Sequence, residues 1–334
     1  MNDLSKLKVS SSPHIRSEDT TSRIMLDVII ALMPALAIGI FVYGLRALTV
    51  TAVSAIGCVF FEWAYNHFSH KPQSISDLSA VVTGILLAYC LPVSTPLWTV
   101  LLGDLFAIII VKQLFGGIGK NFVNPALAAR AFLLASFAGI VSVYPKIRTA
   151  LPLFTTPVDI VTTATPLSQM KEGILPDISV FNNALGMVGG SIGEISSFAL
   201  IAGGIYLIYR KVISARIPLA FIGTVAVVTF IFPQGNNNLQ WMLSQLVSGG
   251  LMLGAIFMAT DYTTSPITIN GQIVYGIGCG LITILIRYFG TYPEGVSYAI
   301  LVMNLFIGLI EKVTMPRKFG APKKERKGGA KVEK

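Results

Sequence analysis

The sequence predicts an all-α polytopic membrane protein with about ten transmembrane helices. Of the 334 residues, 53% are hydrophobic and 12% are charged, whereas soluble globular domains carry about 25% charged residues. The hydrophobic residues also fall into long segments, several of them close to the roughly 20 residues that cross a bilayer as a helix. Composition and segment length therefore both favour a chain that lies mostly inside a membrane.

Apolar segments that could span the membrane follow one another along most of the chain. They are residues 24–44, 47–66, 78–92, 97–116, 124–143, 196–209, 216–232, 243–259, 272–289 and 296–313. Segments 78–92 and 196–209 are short for a complete crossing. The first segment is long enough to span and follows a polar stretch, which predicts a transmembrane helix rather than a cleavable signal peptide. An even number of spans puts both termini on one side.

The distribution of basic residues predicts that both termini are cytoplasmic, because cytoplasmic loops of membrane proteins are enriched in Lys and Arg. With that orientation, the extracytoplasmic segments carry only Arg46, Lys146, Arg148 and Lys171. The predicted organisation is a cytoplasmic N-terminal segment (1–22), a membrane domain (23–313) with an extracytoplasmic loop at about 144–195, and a basic cytoplasmic tail (314–334).

Charge and cysteine usage exclude several functions. Much of the net charge of +9 lies in the C-terminal tail, which is typical of a basic segment beside a membrane and not of a nucleic-acid-binding surface. Cys58, Cys90 and Cys279 all lie inside apolar segments, and no C-x-x-C pair occurs. Iron–sulfur clusters and structural zinc sites need clustered thiolates, so we expect neither, nor any other metal site or disulfide.

Two parts of the chain show a similar order of features. In each of "YCLPVSTPLW" (89–98) and "FIFPQGNNNLQW" (230–241), an apolar segment ends at a proline and a tryptophan opens the next span. Each following span ends in a polar patch, "GGIGKNFVNP" or "ATDYTTSP". One interpretation is two structurally related halves with interrupted helices around a midplane site. The alternative is that Pro and Trp simply mark membrane interfaces.

Carboxylates within the spans are candidates for an ion pathway. A charge at the bilayer centre costs about 2.5 kcal/mol or more, so Glu62, Asp104 and Asp261 need a reason to be there. They are predicted to contact an ion or a cofactor, and the alternative is structural pairing. Lys112 and Glu311 lie near span ends, where pairing or snorkelling is the favoured interpretation.

The segment "GGIGKNFVNPALAARAFLLA" (116–135) contains a predicted helix start, with Asn124 as the N-cap and Pro125 at the first helical position. A glycine turn that leads to a helix N-terminus near Lys120 and Arg130 also suits a polar or anionic ligand. The alternative is a cytoplasmic turn with an ordinary cap.

The stretch "DIVTTATPLS" (159–168) is a hydroxyl-rich part of the predicted extracytoplasmic loop. Thr165 followed by Pro166 predicts another helix start. From the local pattern alone this is an exposed cap. However, residues 159–165 also match the pattern D-x-x-[ST]-G-A-[ST], the signature recognised by flavin transferase, except that Thr163 replaces the usual Gly.

The wider chain resembles the D subunit of the Rnf ion-translocating electron-transport complex. The resemblance rests on "SSPHIRSEDTT", "GGIGKNFVNPALAARAFL", "MATDYTTSPIT", "GQIVYGIGCG" and "IRYFGTYPEGVSYAILVMN", and it covers nearly all of residues 11–313. The same family includes the B subunit of the Na⁺-translocating NADH:quinone reductase, which is the alternative assignment. Without the resemblance, a passive channel or transporter that has no cofactor would be favoured.

The resemblance implies a flavin-carrying subunit of a redox-driven Na⁺ or H⁺ pump that transfers electrons between reduced ferredoxin and NAD. It implies FMN joined covalently through its phosphate to Thr165, with Asp159, Thr162 and Ala164 as matching motif residues. A second, non-covalent riboflavin or FMN is expected near residues 116–130 and 260–265. Its candidate contacts are Lys120, Asn121, Asn124 and Arg130.

The resemblance also implies partners and a location. The partners are Rnf subunits A, B, C, E and G, together with a flavin transferase during maturation. The implied location is the cytoplasmic (inner) membrane of a bacterium or archaeon.

Overall fold

All regular structure in the described part of the chain is helical. The structure is a computed structural model and describes residues 19–149, 151–155, 162–176, 178–235 and 237–316. Apart from helices, these residues contain one isolated antiparallel bridge, between Pro145 and Thr162. The predicted all-α polytopic fold is confirmed.

The helices occur in the following order. They are α1 (Thr21–Tyr43), α2 (Leu45–Phe68), α3 (Ser79–Tyr89), α4 (Leu97–Leu105), α5 (Pro125–Ser136), α6 (Ala138–Val141), α7 (Pro166–Lys171), α8 (Val180–Leu185), α9 (Ser197–Tyr209), α10 (Arg216–Ile231), α11 (Asn238–Val247), α12 (Leu251–Leu253), α13 (Ile269–Phe289), α14 (Val296–Leu305) and α15 (Ile307–Thr314). A 3₁₀ turn covers Ile75–Asp77, and π-helices cover Phe106–Gln113 and Gly254–Met258.

Each of the predicted apolar segments contains helix, but the segments differ in how completely they could span a membrane. Three helices in the described chain, α1, α2 and α13, are long and apolar enough alone. Two bent pairs could each form one further span: α11 with Leu251–Met258, bent by 61°, and α14 with α15, bent by 58°. The helices α3, α5, α9 and α10 are apolar but shorter. Length and composition therefore support three to five spans by themselves.

The predicted helix starts are confirmed. Asn124 caps α5, since its Oδ1 accepts hydrogen bonds from the backbone N–H groups of Ala126 at 3.1 Å and Leu127 at 3.3 Å. Thr165 caps α7 in the same way, with its Oγ1 accepting from Ser168 N at 3.2 Å. In both cases a proline occupies the first helical turn.

The stretches 89–98 and 230–241, which have a similar order of sequence features, are each followed by a change from α-helix to π-helix. The helix that begins at Leu97 becomes a π-helix over Phe106–Gln113, and α12, which follows the break after α11, continues as a π-helix over Gly254–Met258. Both π-helices end shortly before the polar patches, at residues 116–125 and 259–266. Single π-helical turns inside α-helices occur frequently at functional sites.

Buried arginines complete the hydrogen bonding of two helix interruptions. Arg46, at the start of α2, donates to Thr95 O at 3.0 Å in the segment between α3 and α4. Arg287, on α13, donates to Gln245 O at 2.7 Å and to Ser248 O at 2.9 Å at the break after α11. Non-helical backbone at membrane depth must find partners within the protein, and the two guanidinium groups supply them.

Small residues let the helices approach closely around these breaks. On α3, a Cβ added at Gly84 would lie 2.6 Å from Ser54 O of α2. On α13, Gly276 and Gly280 form a small-xxx-small pair against α10, where a Cβ at Gly276 would lie 2.9 Å from Ile217 O. The contact between α2 and α3 brings the backbone of one helix against polar side chains of the other.

Candidate functional site

A cavity lies beside Thr165 and is lined by the residues of the predicted flavinylation motif that the structure describes. Its volume is about 370 Å³, within the roughly 300–1,000 Å³ of small-molecule sites. This Thr165 cavity is lined by Arg130, Leu134, Val141, Ser142, Val143, Tyr144, Thr162, Thr163, Ala164, Thr165, Ser168, Tyr292, Pro293 and Glu294. Asp159, the first motif residue, lies outside the described residues.

The motif segment is docked against the wall of this cavity. Thr163 N donates to Tyr144 O at 3.1 Å, next to the Pro145–Thr162 bridge. The Thr163 side chain packs against Gly189, where an added Cβ would lie 2.6 Å from Thr163 Oγ1. Thr163 Oγ1 is buried and has no hydrogen-bond partner in the described chain. The residue that departs from the motif thus points into the protein, and Thr165 is half-buried.

The buried Arg130 and its partly buried partners lie at the floor of the Thr165 cavity. Arg130 is ion-paired with Glu294 and, at 3.7 Å, with Glu194, and it donates to Cys90 O at 2.6 Å. Tyr144 Oη donates to Glu294 Oε1 at 2.9 Å. Removal of the phenol from water raises the pKa of Tyr144 to about 12, so it acts as a neutral donor at physiological pH.

A second cavity of about 390 Å³ brings the two polar patches together. This Asn124 cavity is lined mainly by apolar residues of α1, α3 and α9, with polar groups that include Lys112, Asn121, Asn124, Thr260 and Asp261. Of the two stretches expected to surround a second flavin, 116–130 and 260–265, several residues of 118–126 and all of 260–263 line this one cavity.

The four residues predicted to contact the second flavin are divided between different places. Asn121 and Asn124 line the Asn124 cavity. Lys120 is exposed and its side chain lies over Gly116. Arg130 lines the Thr165 cavity instead, because it follows Asn124 by six positions on α5, whose axis carries it away from the helix start.

A buried polar network supports one wall of the Asn124 cavity. Asn124 Nδ2 donates to Met258 O at 3.4 Å, at the end of the second π-helix. The Asn304 side-chain amide lies 2.6 Å from Tyr275 Oη and, in its better-satisfied orientation, accepts from Asn124 N at 3.2 Å. Asn304 and Tyr275 were not predicted from the sequence, although an asparagine inside the apolar α14 is a signal for a functional or structural polar contact.

Two residues that line the Thr165 cavity, Tyr144 and Glu294, and one that pairs with Arg130 beside it, Glu194, were also not predicted. Tyr144, Glu194 and Glu294 come from three separate segments that meet only in the folded chain. Glu294 lies in "GTYPEG" (290–295), the segment between α13 and α14, which looks like an ordinary surface loop. Its contact with Arg130 spans 164 positions of sequence.

The three candidate ion-pathway carboxylates have different surroundings. Glu62 is buried and paired with Lys112 at 3.0 Å, and it also accepts from Gln113 and Ser74. The sequence left pairing and snorkelling open for Lys112. Its side chain is 3% exposed and pairs with Glu62, so it does not snorkel to the membrane surface. Asp261 accepts from Thr264 Oγ1 at 2.9 Å and lines the Asn124 cavity.

Asp104 has no Lys or Arg partner among the described residues. Its side chain is fully buried, and among the described residues its polar contacts are with the Ser54 hydroxyl and the Cys58 thiol. The described residues also contain no group of three or more His, Cys, Asp or Glu side chains that could hold a metal ion.

Comparison with known proteins identifies the family. The family described as "NQR2, RnfD, RnfE family" matches residues 8–320. The chain belongs to this family. The resemblance inferred from the sequence motifs is thus confirmed for the NQR2, RnfD, RnfE family over nearly the whole chain.

Several curated members of the NQR2, RnfD, RnfE family are similar to this chain from end to end. One from Acetobacterium woodii, named as the D subunit of a Na(+)-translocating ferredoxin:NAD(+) oxidoreductase complex, is 49% identical over 99% of this chain and 100% of its own. One from Clostridium ljungdahlii, named as the D subunit of a proton-translocating ferredoxin:NAD(+) oxidoreductase complex, is 42% identical over 93% and 96%. The D subunit of the ion-translocating oxidoreductase complex of Actinobacillus succinogenes is 33% identical over 94% and 98%.

Proposed function

We propose that the chain is the flavin-carrying membrane subunit of a redox-driven Na⁺ or H⁺ pump that transfers electrons between reduced ferredoxin and NAD. The names of the Acetobacterium and Clostridium relatives state a ferredoxin:NAD(+) oxidoreductase complex. Those two names differ in the ion, Na⁺ in one and protons in the other. The chain acts as one subunit of the enzyme and is not catalytically complete alone.

The observation that carries the flavin assignment is the Thr165 cavity. The hydroxyl of Thr165 lines a space of about 370 Å³, and the floor of that space is a buried, ion-paired arginine. The unpartnered Thr163 Oγ1 and the Tyr144 phenol add polar groups near the same wall. Polar groups that converge on a pocket of this size fit a ligand that has both a planar ring system and a phosphate.

Thr165 would hold FMN through a phosphoester to Oγ1, and the bound flavin would supply one-electron and two-electron transfer. The hydrogen bond from Ser168 N occupies one lone pair of Thr165 Oγ1. The second lone pair of this oxygen remains available for esterification. A covalent link replaces a binding equilibrium with a high effective concentration, which retains a flavin in a cavity that opens to an extracytoplasmic surface.

The Asn124 cavity is the proposed site of a second, non-covalent riboflavin or FMN. Asn121 and Asn124 present amide groups in a mainly apolar space of about 390 Å³. Amide donors and acceptors can pair with the polar edge of a flavin ring, while apolar side chains cover its faces. Lys120 is less suited to this contact because its side chain is exposed and lies over Gly116.

Glu62, Asp104 and Asp261 are proposed to belong to the ion pathway. Asp261 lines the Asn124 cavity together with Lys112, the partner of Glu62. When a flavin in that cavity is reduced, its change of charge would therefore act on Asp261 and Glu62 at short range in a low-dielectric environment. This arrangement supports coupling between electron transfer and movement of a cation.

The proposed setting is the cytoplasmic membrane, with both termini cytoplasmic and the Thr165 loop outside. The proposed partners are Rnf subunits A, B, C, E and G, and a flavin transferase that modifies Thr165. The bias of Lys and Arg toward one set of loops supports this orientation.

The covalent flavin is tested on the full chain expressed with the transferase and its partner subunits. A denaturing gel under ultraviolet light should show a fluorescent band for the wild type and for Thr165→Ser, which keeps the esterifiable hydroxyl. Thr165→Ala should give a dark band of equal protein content. A dark wild-type band, or a fluorescent Thr165→Ala band, contradicts the assignment.

The alternative is a membrane subunit of a Na⁺-translocating NADH:quinone reductase, because the family description includes NQR2. The purified complex separates the two assignments. Reduction of NAD by reduced ferredoxin supports the proposal, whereas quinone reduction by NADH without ferredoxin supports the alternative.

A further inference from the structure

The carboxyl group of Asp104 lies in a fully buried position between α2, α3 and α4. Its Oδ1 is 2.6 Å from Ser54 Oγ and 3.3 Å from Cys58 Sγ. Its Oδ2 is buried and has no hydrogen-bond partner in the described chain. Among the described residues, no Lys or Arg nitrogen lies within 4.0 Å of this carboxyl group. An ionised Asp104 would therefore be a buried charge without a counter-ion.

Glu62 shows what a compensated carboxylate looks like in the same helix bundle. It is as deeply buried as Asp104, but it accepts hydrogen bonds from Lys112, Gln113 and Ser74. Burial of an unpaired charge is strongly unfavourable, and a group in that position takes up or releases a proton instead. The contrast between these two carboxylates is a difference in partners and not in depth.

The hydrogen bonds of Ser54 identify where the extra proton lies. Ser54 Oγ is 2.6 Å from Asp104 Oδ1 and 2.8 Å from Gly84 O on α3. A hydroxyl group has one proton, so it can donate to only one of these two oxygens. If Ser54 donates to Gly84 O, the short contact with Asp104 requires a proton from the carboxyl group. One proton on Asp104 thus satisfies both contacts.

We propose that Asp104 is a neutral carboxylic acid that holds an exchangeable proton, so that Asp104, Ser54 and Gly84 O form a proton-binding site in the membrane domain. Its role in ion transport rests on the proposed function, whereas its protonation rests on the buried contacts alone. The titratable groups that face it are Cys58, in contact, and the Glu62–Lys112 pair one turn further along the same face of α2.

Infrared spectroscopy of the purified complex at neutral pH tests this proposal. The wild type should show the carbonyl stretch of a protonated carboxylic acid, and that band should shift after equilibration in D₂O. Asp104→Asn should lose the band. Asp77→Asn and Glu62→Gln are controls that should keep it, because Asp77 accepts from Ser79 N at 2.8 Å and Glu62 is paired with Lys112. The proposal is overturned if the difference spectrum between the wild type and Asp104→Asn shows no lost protonated-acid band, or if the lost band does not shift in D₂O.

Ser54→Ala and Cys58→Ala provide a second measurement that keeps Asp104 in place. Each removes one neighbour of the carboxyl group and should shift the frequency of the same band. If neither shifts any protonated-acid band, Asp104 is ionised and the proposal is wrong. The spectra are recorded on the oxidised protein without turnover. Their outcome is therefore independent of the gel test at Thr165, and either result can fail without the other.

Discussion

The two cavities are nearly equal in volume but differ in what lines them. The Thr165 cavity is bounded by loop residues and by ion-paired side chains such as Arg130 and Glu294. The Asn124 cavity is bounded mainly by apolar side chains of several helices, with a few amide and carboxyl groups. An apolar, helix-walled space can retain a ring system by burial. A loop-lined, charged space retains a ligand less firmly by burial, and there the proposed cofactor is tethered covalently.

The comparison also shows how a membrane protein stabilises polar groups in two ways. Beside Thr165, full charges are paired with one another. Around Asn124, neutral amide and hydroxyl groups complete the backbone of a helix start and of a π-helix end. Charged and neutral networks respond differently to the loss of one member, since an unpaired buried charge costs more than an unpaired buried amide. The following predictions use that difference.

The largest effect is expected for Arg130→Ala. This substitution leaves Glu194 and Glu294 without their cation, and breaking a buried ion pair costs about 3–5 kcal/mol. The purified variant should unfold at a clearly lower temperature, and its covalent flavin band should weaken. Arg148→Ala, at an exposed arginine of the same loop, should change stability by no more than about 0.5 kcal/mol. Equal melting temperatures for the two variants would contradict the claim that Arg130 compensates the charges of Glu194 and Glu294.

Tyr144→Phe should have a smaller effect that depends on pH. It removes the hydrogen bond to Glu294, and bonds to charged groups contribute about 1.5–3 kcal/mol. Because burial raises the pKa of Tyr144 from 10.0 to about 12, the wild type keeps this stabilisation below pH 10 and loses it as the pH rises toward 12. Unfolding curves of the two proteins should therefore converge at high pH. A constant difference across this range would show that the phenol is not buried as described.

Gly189→Ala tests the packing of Thr163. The added Cβ would meet Thr163 Oγ1 at 2.6 Å, and such overpacking costs about 1–3 kcal/mol. Adding Thr163→Gly, which restores the usual motif residue, should recover most of the lost stability. The measurement is a double-mutant cycle of thermal stability and of covalent flavin content. Additive effects would mean that the two positions do not touch.

Asn121→Leu should have the smallest effect and act on the other cavity. It removes an amide group from the lining, and the loss of one neutral hydrogen bond, about 1 kcal/mol, weakens binding roughly fivefold. Acid-extractable flavin should fall while the covalent band at Thr165 stays unchanged. Lys120→Ala, a neighbour that lies outside the cavity lining, is the matched control. A parallel loss of covalent flavin would indicate that the two cavities are not separate sites.

Local patterns predicted the elements of both sites but not their assembly. The caps at Asn124 and Thr165 could be recognised because a cap and a following proline satisfy backbone groups within a few residues. The polar patches at 116–125 and 259–266 could be paired from their similar positions in the two stretches. By contrast, nothing near Arg130 in sequence indicates its contact with Glu294, which depends on how α5 lies against the segment before α14.

The sequence by itself determined the all-α membrane fold, the positions of the apolar segments and helix starts, and the family. These properties follow from hydrophobic length and from short-range hydrogen bonding, and both can be read within about twenty residues. Only the tertiary structure decided that Arg130 belongs with Thr165, that Glu62 is paired with Lys112, and that no described Lys or Arg pairs with Asp104. The charge state of a buried group depends on neighbours that come from distant segments of the chain. Composition and local residue spacing do not predict those neighbours.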